Sequence, residues 1–90
     1  MKNAIIAAAT RLAEKGYYTE LTRVQIAREA KISDSAVSYY CGSMDDVRRD
    51  ILKEALKTEN YVILAQGLLR HDPALAEVSP TLRERILAAV

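Results

Sequence analysis

The chain has 90 residues, half of them apolar, and 13 Lys and Arg against 12 Asp and Glu give it a formal net charge of +1. That length allows one domain with a helical core but excludes a substrate pocket with a second lobe. The near-neutral balance excludes a generally basic coat for nucleic acid, so any affinity for DNA must come from a few clustered cations, Arg23, Arg28 and Lys31 among them.

Charge is mildly uneven, with six Lys and Arg against four acids in residues 1–40 and seven against eight in 41–90. With no Trp or Phe and only three Gly, and with Ala and Leu abundant, the composition predicts an all-α protein. No apolar run reaches the roughly 18 residues that span a bilayer, and the first 16 residues lack a signal-peptide pattern, so a cytoplasmic protein without a membrane partner is expected. Cys41 has no second cysteine to pair with. His71 stands apart from other metal ligands, and no nucleophile with a base is visible. The expectation is a protein with no metal, no cofactor and no enzymatic activity.

The first predicted helix runs from Asn3 to Lys15, with Ile5, Ile6, Ala9, Leu12 and Ala13 at three- and four-residue steps and Gly16 placed to stop it. Tyr17 and Tyr18 follow in a polar connection, so one ring should close the core while the other lies at the surface.

Thr22 to Tyr40, TRVQIAREAKISDSAVSYY, then reads as two short helices joined by a tight turn. Ile26, Ala30, Ile32, Val37 and Tyr40 are apolar where two crossed helices would face each other, and Ala27 is small where their backbones approach. Thr22 and Gln25 form a capping box that starts the first of these helices near Arg23. Ser33 can cap the second, and Asp34 adds a negative charge to its first turn, so that helix is expected over about 34–41. Its outward face carries Ser35, Ser38 and Tyr39, with Ser33 and Asp34 at its start, a set of side chains suited to base edges in a major groove.

Up to this point the chain resembles the amino-terminal DNA-binding domain of the tetracycline-repressor (TetR) family of bacterial transcriptional regulators. The matching residues are Ile5-Ile6 with Ala8-Ala9, Leu12, Glu14-Lys15-Gly16-Tyr17, Thr22, Ile26-Ala27, Ala30, Ile32-Ser33, Val37, Tyr40, and Ser43 with Asp45-Asp46-Val47, within about the first 50 residues. The resemblance implies a three-helix DNA-binding unit followed by a fourth helix. It also implies Tyr39 and Tyr40 against bases and phosphates, and Thr22 and Arg23 at phosphates. Several positions depart: Lys31 stands where the turn usually has glycine, Ser38 where a tyrosine is usual, Cys41 where a large apolar residue is usual and Met44 where a phosphate-binding lysine is usual. The stretch before Gly16 is one residue short and the one after it one residue long. Family members normally add a ligand-binding and dimerising domain longer than what remains here, so no small-molecule inducer is expected.

Ser43 with Asp46 forms a second capping box, opening a helix whose first amides can also face a phosphate. Val47, Ile51 and Ala55 make its inner stripe, with Leu52 and Leu56 beside it, while Arg48, Arg49, Lys53, Glu54 and Lys57 read as solvated. Tyr61 to Leu69, YVILAQGLL, is apolar on every side and calls for a covering surface. If this helix runs unbroken from Ser43 to Leu69 it is roughly 40 Å long at 1.5 Å per residue, with Thr58 to Asn60 the place for a bend. Asp72-Pro73 and Ser79-Pro80 look like helix starts, giving a short helix to about Val78 and a last one over Thr81 to Ala89. Leu82, Ile86, Leu87 and Val90 can fold back on the apolar stretch.

The expected architecture is therefore a helix-turn-helix head over 1–57 and a helical dimerisation tail over 58–90, continuing from a long fourth helix and ending in one or two short helices. DNA contacts are expected from Thr22, Arg23, Lys31, Ser33, Asp34, Ser35, Ser38, Tyr39, Tyr40 and Ser43. Dimer contacts are expected from Tyr61, Val62, Leu64, Ala65, Leu68, Leu69, Leu82 and Ile86, the alternative being a hairpin closed within one chain. The function expected is a small homodimeric repressor on an inverted-repeat operator, of bacterial, plasmid or phage origin. The alternative is a protein-interaction module, antitoxin-like or an adaptor, in which the helix-turn-helix is scaffold.

Overall fold

Helix boundaries in this chain fall where short polar side chains meet the orphan amides that every helix start leaves unsatisfied. The computed structural model describes residues 1–89, which form six α-helices and no strand. They are α1 (Lys2–Lys15), α2 (Arg23–Ala30), α3 (Asp34–Cys41), α4 (Met44–Thr58), α5 (Tyr61–Leu69) and α6 (Pro80–Ala88), with single 3₁₀ turns at Tyr18–Glu20 and Pro73–Leu75.

Both expected capping boxes are formed. The Thr22 hydroxyl accepts from the Gln25 N–H at 3.2 Å while Gln25 Oε1 accepts from the Thr22 N–H at 3.0 Å. Ser43 and Asp46 repeat the pattern at 3.2 and 3.0 Å. The hydrogen bonds from the Ser43 backbone and hydroxyl hold the Asp46 carboxyl below the usual aspartate value. Gly42, just before this box, sits at φ 82°, and a Cβ there would meet Asp46 Oδ2 at 2.5 Å. Glycine is thus required twice over at this corner, by its backbone conformation and by the carboxylate lying against it.

One open point is decided and two features differ from expectation. The helix opened by Ser43 breaks where a bend was expected: Glu59 turns left-handed (φ 55°, ψ 43°) and Asn60 recaps the chain, its Oδ1 accepting from the Ile63 N–H. The two successive helices pack against each other because Ile63, Leu64, Ala65 and Gly67 gain more by facing the core than by extending into water. The expected short helix to Val78 is a single 3₁₀ turn, capped by Asp72, whose Leu75 plugs the core. Arg48 is half-buried, reaching the Leu21 carbonyl at 3.5 Å and Asp45 at 3.2 Å. Of the residues expected to fold back on α5, Ile86 is buried and Leu82 packs against the core, whereas Val90 lies outside the described residues.

One continuous apolar cluster joins Ile5, Ile26, Val37, Val47, Ile51 and Leu52 to Ile63, Leu64, Leu75 and Ile86. Residues 1–57 and 58–89 therefore share a core. Gly67 lets α5 approach closely, for a Cβ there would stand 2.5 Å from Leu75 Cδ1 and 3.0 Å from Leu52 Cδ2. Tyr18, 1% exposed, is the ring that closes the core, and its hydroxyl donates to Asp72 Oδ2 at 2.7 Å. Tyr17 is the surface ring, with the Arg70 guanidinium 5.1 Å above its face.

Two outcomes follow from this packing. A chain ending after Asn60 loses Ile63, Leu64, Leu75 and Ile86, each contributing about 1.5–3 kcal/mol by burial, together comparable with a whole domain's stability. It should show little cooperative unfolding by circular dichroism, in contrast to a tail that merely adds a dimer contact. Burial, reinforced by the hydrogen bond to Asp72 and its charge, raises the Tyr18 phenol well above its usual range. Its contribution is fully present below about pH 10, the ordinary tyrosine value, and is lost as pH rises toward the folded-state value. Tyr18→Phe should cost about 1–2 kcal/mol at neutral pH and give a flatter alkaline limb in a pH series of thermal melts.

Candidate nucleic-acid interface

α2 and α3 form the expected helix-turn-helix, and the turn between them rests on an unusual residue. Lys31 adopts the left-handed conformation (φ 61°, ψ 44°) that closes α2, its N–H donating to the Arg28 and Ala27 carbonyls. The Ile32 N–H returns to the Ala27 carbonyl at 3.0 Å, which satisfies the end of the helix and turns the chain into α3. A lysine there carries the Cβ cost that glycine would avoid, about 1–2 kcal/mol. It also places a long cation at the exposed tip of the turn.

α3 starts at Ser33, whose hydroxyl accepts from the Ala36 N–H at 3.2 Å and lies 3.2 Å from the Ser35 hydroxyl. The buried stripe is Val37 and Cys41, one helical turn apart. Cys41 fills the interior position, and desolvation pushes its thiol above the usual value, so it packs as a small hydrophobe. Tyr40 does not join this stripe as its spacing suggested. At one residue short of a turn from Val37 it projects along the flank, 44% exposed, with its ring edge-to-face on Tyr39 at 5.0 Å. Tyr39 is 82% exposed. Asp34 and Ser35 are exposed on the first turn and Ser38 is half-buried behind them. The outer face thus offers two mutually braced phenols and a row of short hydroxyls.

Around this face the cations divide into two groups. Lys2, Arg11, Arg48 and Arg49 are paired with Asp50, Glu29, Asp45 and Asp46 at 3.1–3.3 Å. Among the described residues Arg23, Arg28 and Lys31 have no acidic partner. Arg23 follows the α2 cap, and its Nε is buried without a hydrogen-bond partner. Arg28 lies on the flank of α2 that borders α1, in a shallow cleft with Leu12 and Gln25. Thr22 accepts a backbone hydrogen bond through its oxygen, which leaves its hydroxyl hydrogen free to donate. Ser43 differs, because its hydroxyl donates to Asp46 Oδ2 at 3.0 Å, beside the acidic Asp45 and Asp46. Met44, beside it, is partly buried against the core.

The residues expected to form a dimer surface are split by the fold. Leu64, Ala65 and Ile86 are buried inside the chain, Tyr61, Leu68 and Leu82 are half-buried, and Val62 (50%) and Leu69 (70%) remain exposed. The apolar stretch is covered on three sides by α1, α4 and α6 of its own chain. Leu69 and the exposed Leu87 border a cleft of about 460 Å³ between α5, the Pro73–Leu75 turn and α6.

Sequence reasoning passed over the residues that tie this head to the helices behind it: Asn60, Gln66 and Asp72. Gln66 Nε2 donates to the Ala13 and Gly16 carbonyls, both at 3.0 Å, and its Oε1 accepts from the Tyr18 N–H at 2.9 Å. Asn60 Nδ2 donates to Glu14 Oε1 at 2.9 Å. The available signal was that Gln66 is the one polar side chain in YVILAQGLL, and such a residue must find partners when its helix is buried.

Among the described residues no helix is long and apolar enough to cross a membrane, and no cluster of potential metal ligands occurs. No family model matches the chain, and no solved structure matches it. The HTH-type transcriptional regulator HbdR of Aromatoleum sp. (strain CIB) is 48% identical to it over 66 residues, 72% of this chain and 28% of HbdR. The chain thus spans little more than a quarter of the curated relative it matches.

The two faces of α3 should respond oppositely to truncation. Val37→Ala should lower stability by about 2 kcal/mol through loss of core packing, while Tyr39→Ala should stay within about 0.5 kcal/mol of the parent in urea unfolding. Lys31→Gly, which relieves the left-handed lysine, should raise the unfolding midpoint by up to about 1 kcal/mol of stability.

Proposed function

We propose that this chain is a sequence-specific DNA-binding transcriptional regulator with a helix-turn-helix of the TetR type. In this reading it acts as a homodimeric repressor on an inverted-repeat operator. The observation that carries the proposal is the outward face of α3, where Tyr39 stands 82% exposed on a helix whose inner face is sealed by Val37 and Cys41. A rigid helix that presents an exposed phenol beside a row of short hydroxyls offers a face suited to base edges in a major groove. The name of the relative matched over 66 residues, an HTH-type transcriptional regulator, supports the same reading.

In this mechanism α3 enters the major groove. Ser33, Asp34, Ser35 and Ser38 meet base edges along its first two turns, and Tyr39 and Tyr40 reach bases and the adjoining phosphate. Thr22 and Arg23 at the start of α2, Lys31 at the turn and, more weakly, Ser43 hold the sugar-phosphate backbone, fixing register without reading sequence. The chemistry needed is hydrogen bonding and charge neutralisation, so no catalytic group is called for. One head covers too few base pairs for strong discrimination, and two heads on half-sites about 34 Å apart, or a multiple of it, supply the rest. The exposed Val62, Leu69 and Leu87, flanked by half-buried Tyr61, Leu68 and Leu82, are the surface proposed for the second copy.

The test is selection of bound duplexes from a random-sequence DNA pool, followed by gel shifts. A palindromic consensus is expected, together with a sedimenting species of twice the 10.0 kDa chain mass at micromolar concentration. Tyr39→Ala should lose the selected sequence while retaining the fold. Arg23→Ala or Lys31→Ala should weaken selected and random DNA alike, and flatten the salt dependence by about one phosphate. Failure to retard any duplex at low salt would reject DNA binding in favour of a protein-interaction role, and a monomer on an asymmetric site would reject the dimer.

A further inference from the structure

Among the described residues, side chains of α4, α5 and the Pro73–Leu75 turn converge on residues 13–21, the corner from which the chain enters α2. Gln66 holds three backbone groups of that corner: the Ala13 and Gly16 carbonyls, which α1 leaves unsatisfied at its end, and the Tyr18 N–H. Asp72 holds the Tyr18 hydroxyl with one carboxylate oxygen and, with the other, the Ala74 N–H of the Pro73–Leu75 turn at 2.9 Å. Arg48 reaches the Leu21 carbonyl, one residue before the α2 cap. The corner that leads into Thr22 and Arg23 at the start of α2 is therefore held by side chains of α4, α5 and the Pro73–Leu75 turn.

We propose that Gln66 and Asp72 are positioning residues of the DNA-binding surface. Through the corner at residues 13–21 they set where the start of α2 stands against the outer face of α3. This inference rests on the DNA-binding reading above and adds to it a route from α5 and the Pro73–Leu75 turn to sequence discrimination. The route has a physical basis in the different tolerances of the two kinds of contact. Phosphate contacts by long cations survive small shifts, whereas hydrogen bonds to base edges weaken steeply with misalignment. Loosening the corner should therefore erode the preference for a chosen sequence much more than general affinity for DNA.

Three variants of the full chain test this: Gln66→Met, similar in length but without hydrogen bonds, Asp72→Ala, and the conservative Asp72→Asn, whose amide can still meet both the Tyr18 hydroxyl and the Ala74 N–H. Each is compared at a temperature where circular dichroism shows it fully folded. Two probes are used: a duplex selected by the parent chain from a random pool, and a random-sequence duplex of the same length. Gln66→Met and Asp72→Ala should lose about tenfold in affinity for the selected duplex and under about twofold for the random one, with an unchanged salt slope. Asp72→Asn should return to within about threefold of the parent. A purely structural role would leave the ratio of the two affinities unchanged in folded protein, and that result would overturn the proposal. If Gln66→Met does not fold, Asp72→Ala and Tyr18→Phe carry the same comparison.

If the parent chain binds neither duplex, the DNA-binding reading fails by itself and amide hydrogen exchange decides the positioning role. Exchange over residues 18–30 should then rise about tenfold in Asp72→Ala relative to α4 amides, whereas equal changes in both regions would overturn the inference.

Discussion

Gln66 is the residue on which the arrangement of this molecule turns. A helix that ends inside a protein leaves carbonyls that must be satisfied, and an apolar helix packed against it normally offers nothing to satisfy them. α5 solves this with a single amide, which donates twice to the end of α1 and accepts once from the start of the next turn. Because an amide carries both donors and an acceptor, no aliphatic residue and no single carboxylate or ammonium could meet all three needs. Its insertion is compatible with one rotation of α5, the one in which Ile63 and Leu64 face inward and Val62 and Leu69 outward. The apolar burial of α5 and that one set of bonds therefore agree on the same rotation.

The front half depends on a different economy. α2 and α3 are eight residues each, too short to be stable alone, and they hold their shape through caps at both ends and a shared apolar seam. The Thr22–Gln25 and Ser43–Asp46 boxes bracket the unit, and Ser33 starts its second helix. With the interior filled by Ile26, Ala27, Val37 and Cys41, the exposed Tyr39 contributes nothing to the core.

This difference explains what could be read from the sequence. Caps and the stripes of α1 and α4 are local patterns, and each was legible within four residues. Whether Tyr17 or Tyr18 would be buried was not, because the answer is set by Gln66 and Asp72 some 50 residues away. The apolar run from Tyr61 was correctly seen to need covering, yet a sequence does not say whether the cover belongs to the same chain. Whether α4 would run on past Thr58 was likewise open, because the apolar pattern continues through the break and only the Asn60 side chain, capping α5, decides it. Tyr40 was assigned inward because an aromatic at near-helical spacing usually packs, whereas Cys41, smaller and one position on, took the interior place.

The clasp between Ala13 and Gln66 has a consequence for the order in which the chain acquires its shape. It encloses the whole helix-turn-helix within a loop whose ends are 53 residues apart. Its closure must overcome the entropy of that loop before α5 contributes any stabilisation. In a chain emerging amino-terminus first, the helices of the head can form as each is made, but the corner that orients them stays open until Asp72 has appeared. A partly synthesised chain therefore carries the residues proposed to recognise DNA without the geometry to use them, and completion of α5 and its turn marks the moment at which the head takes its final form.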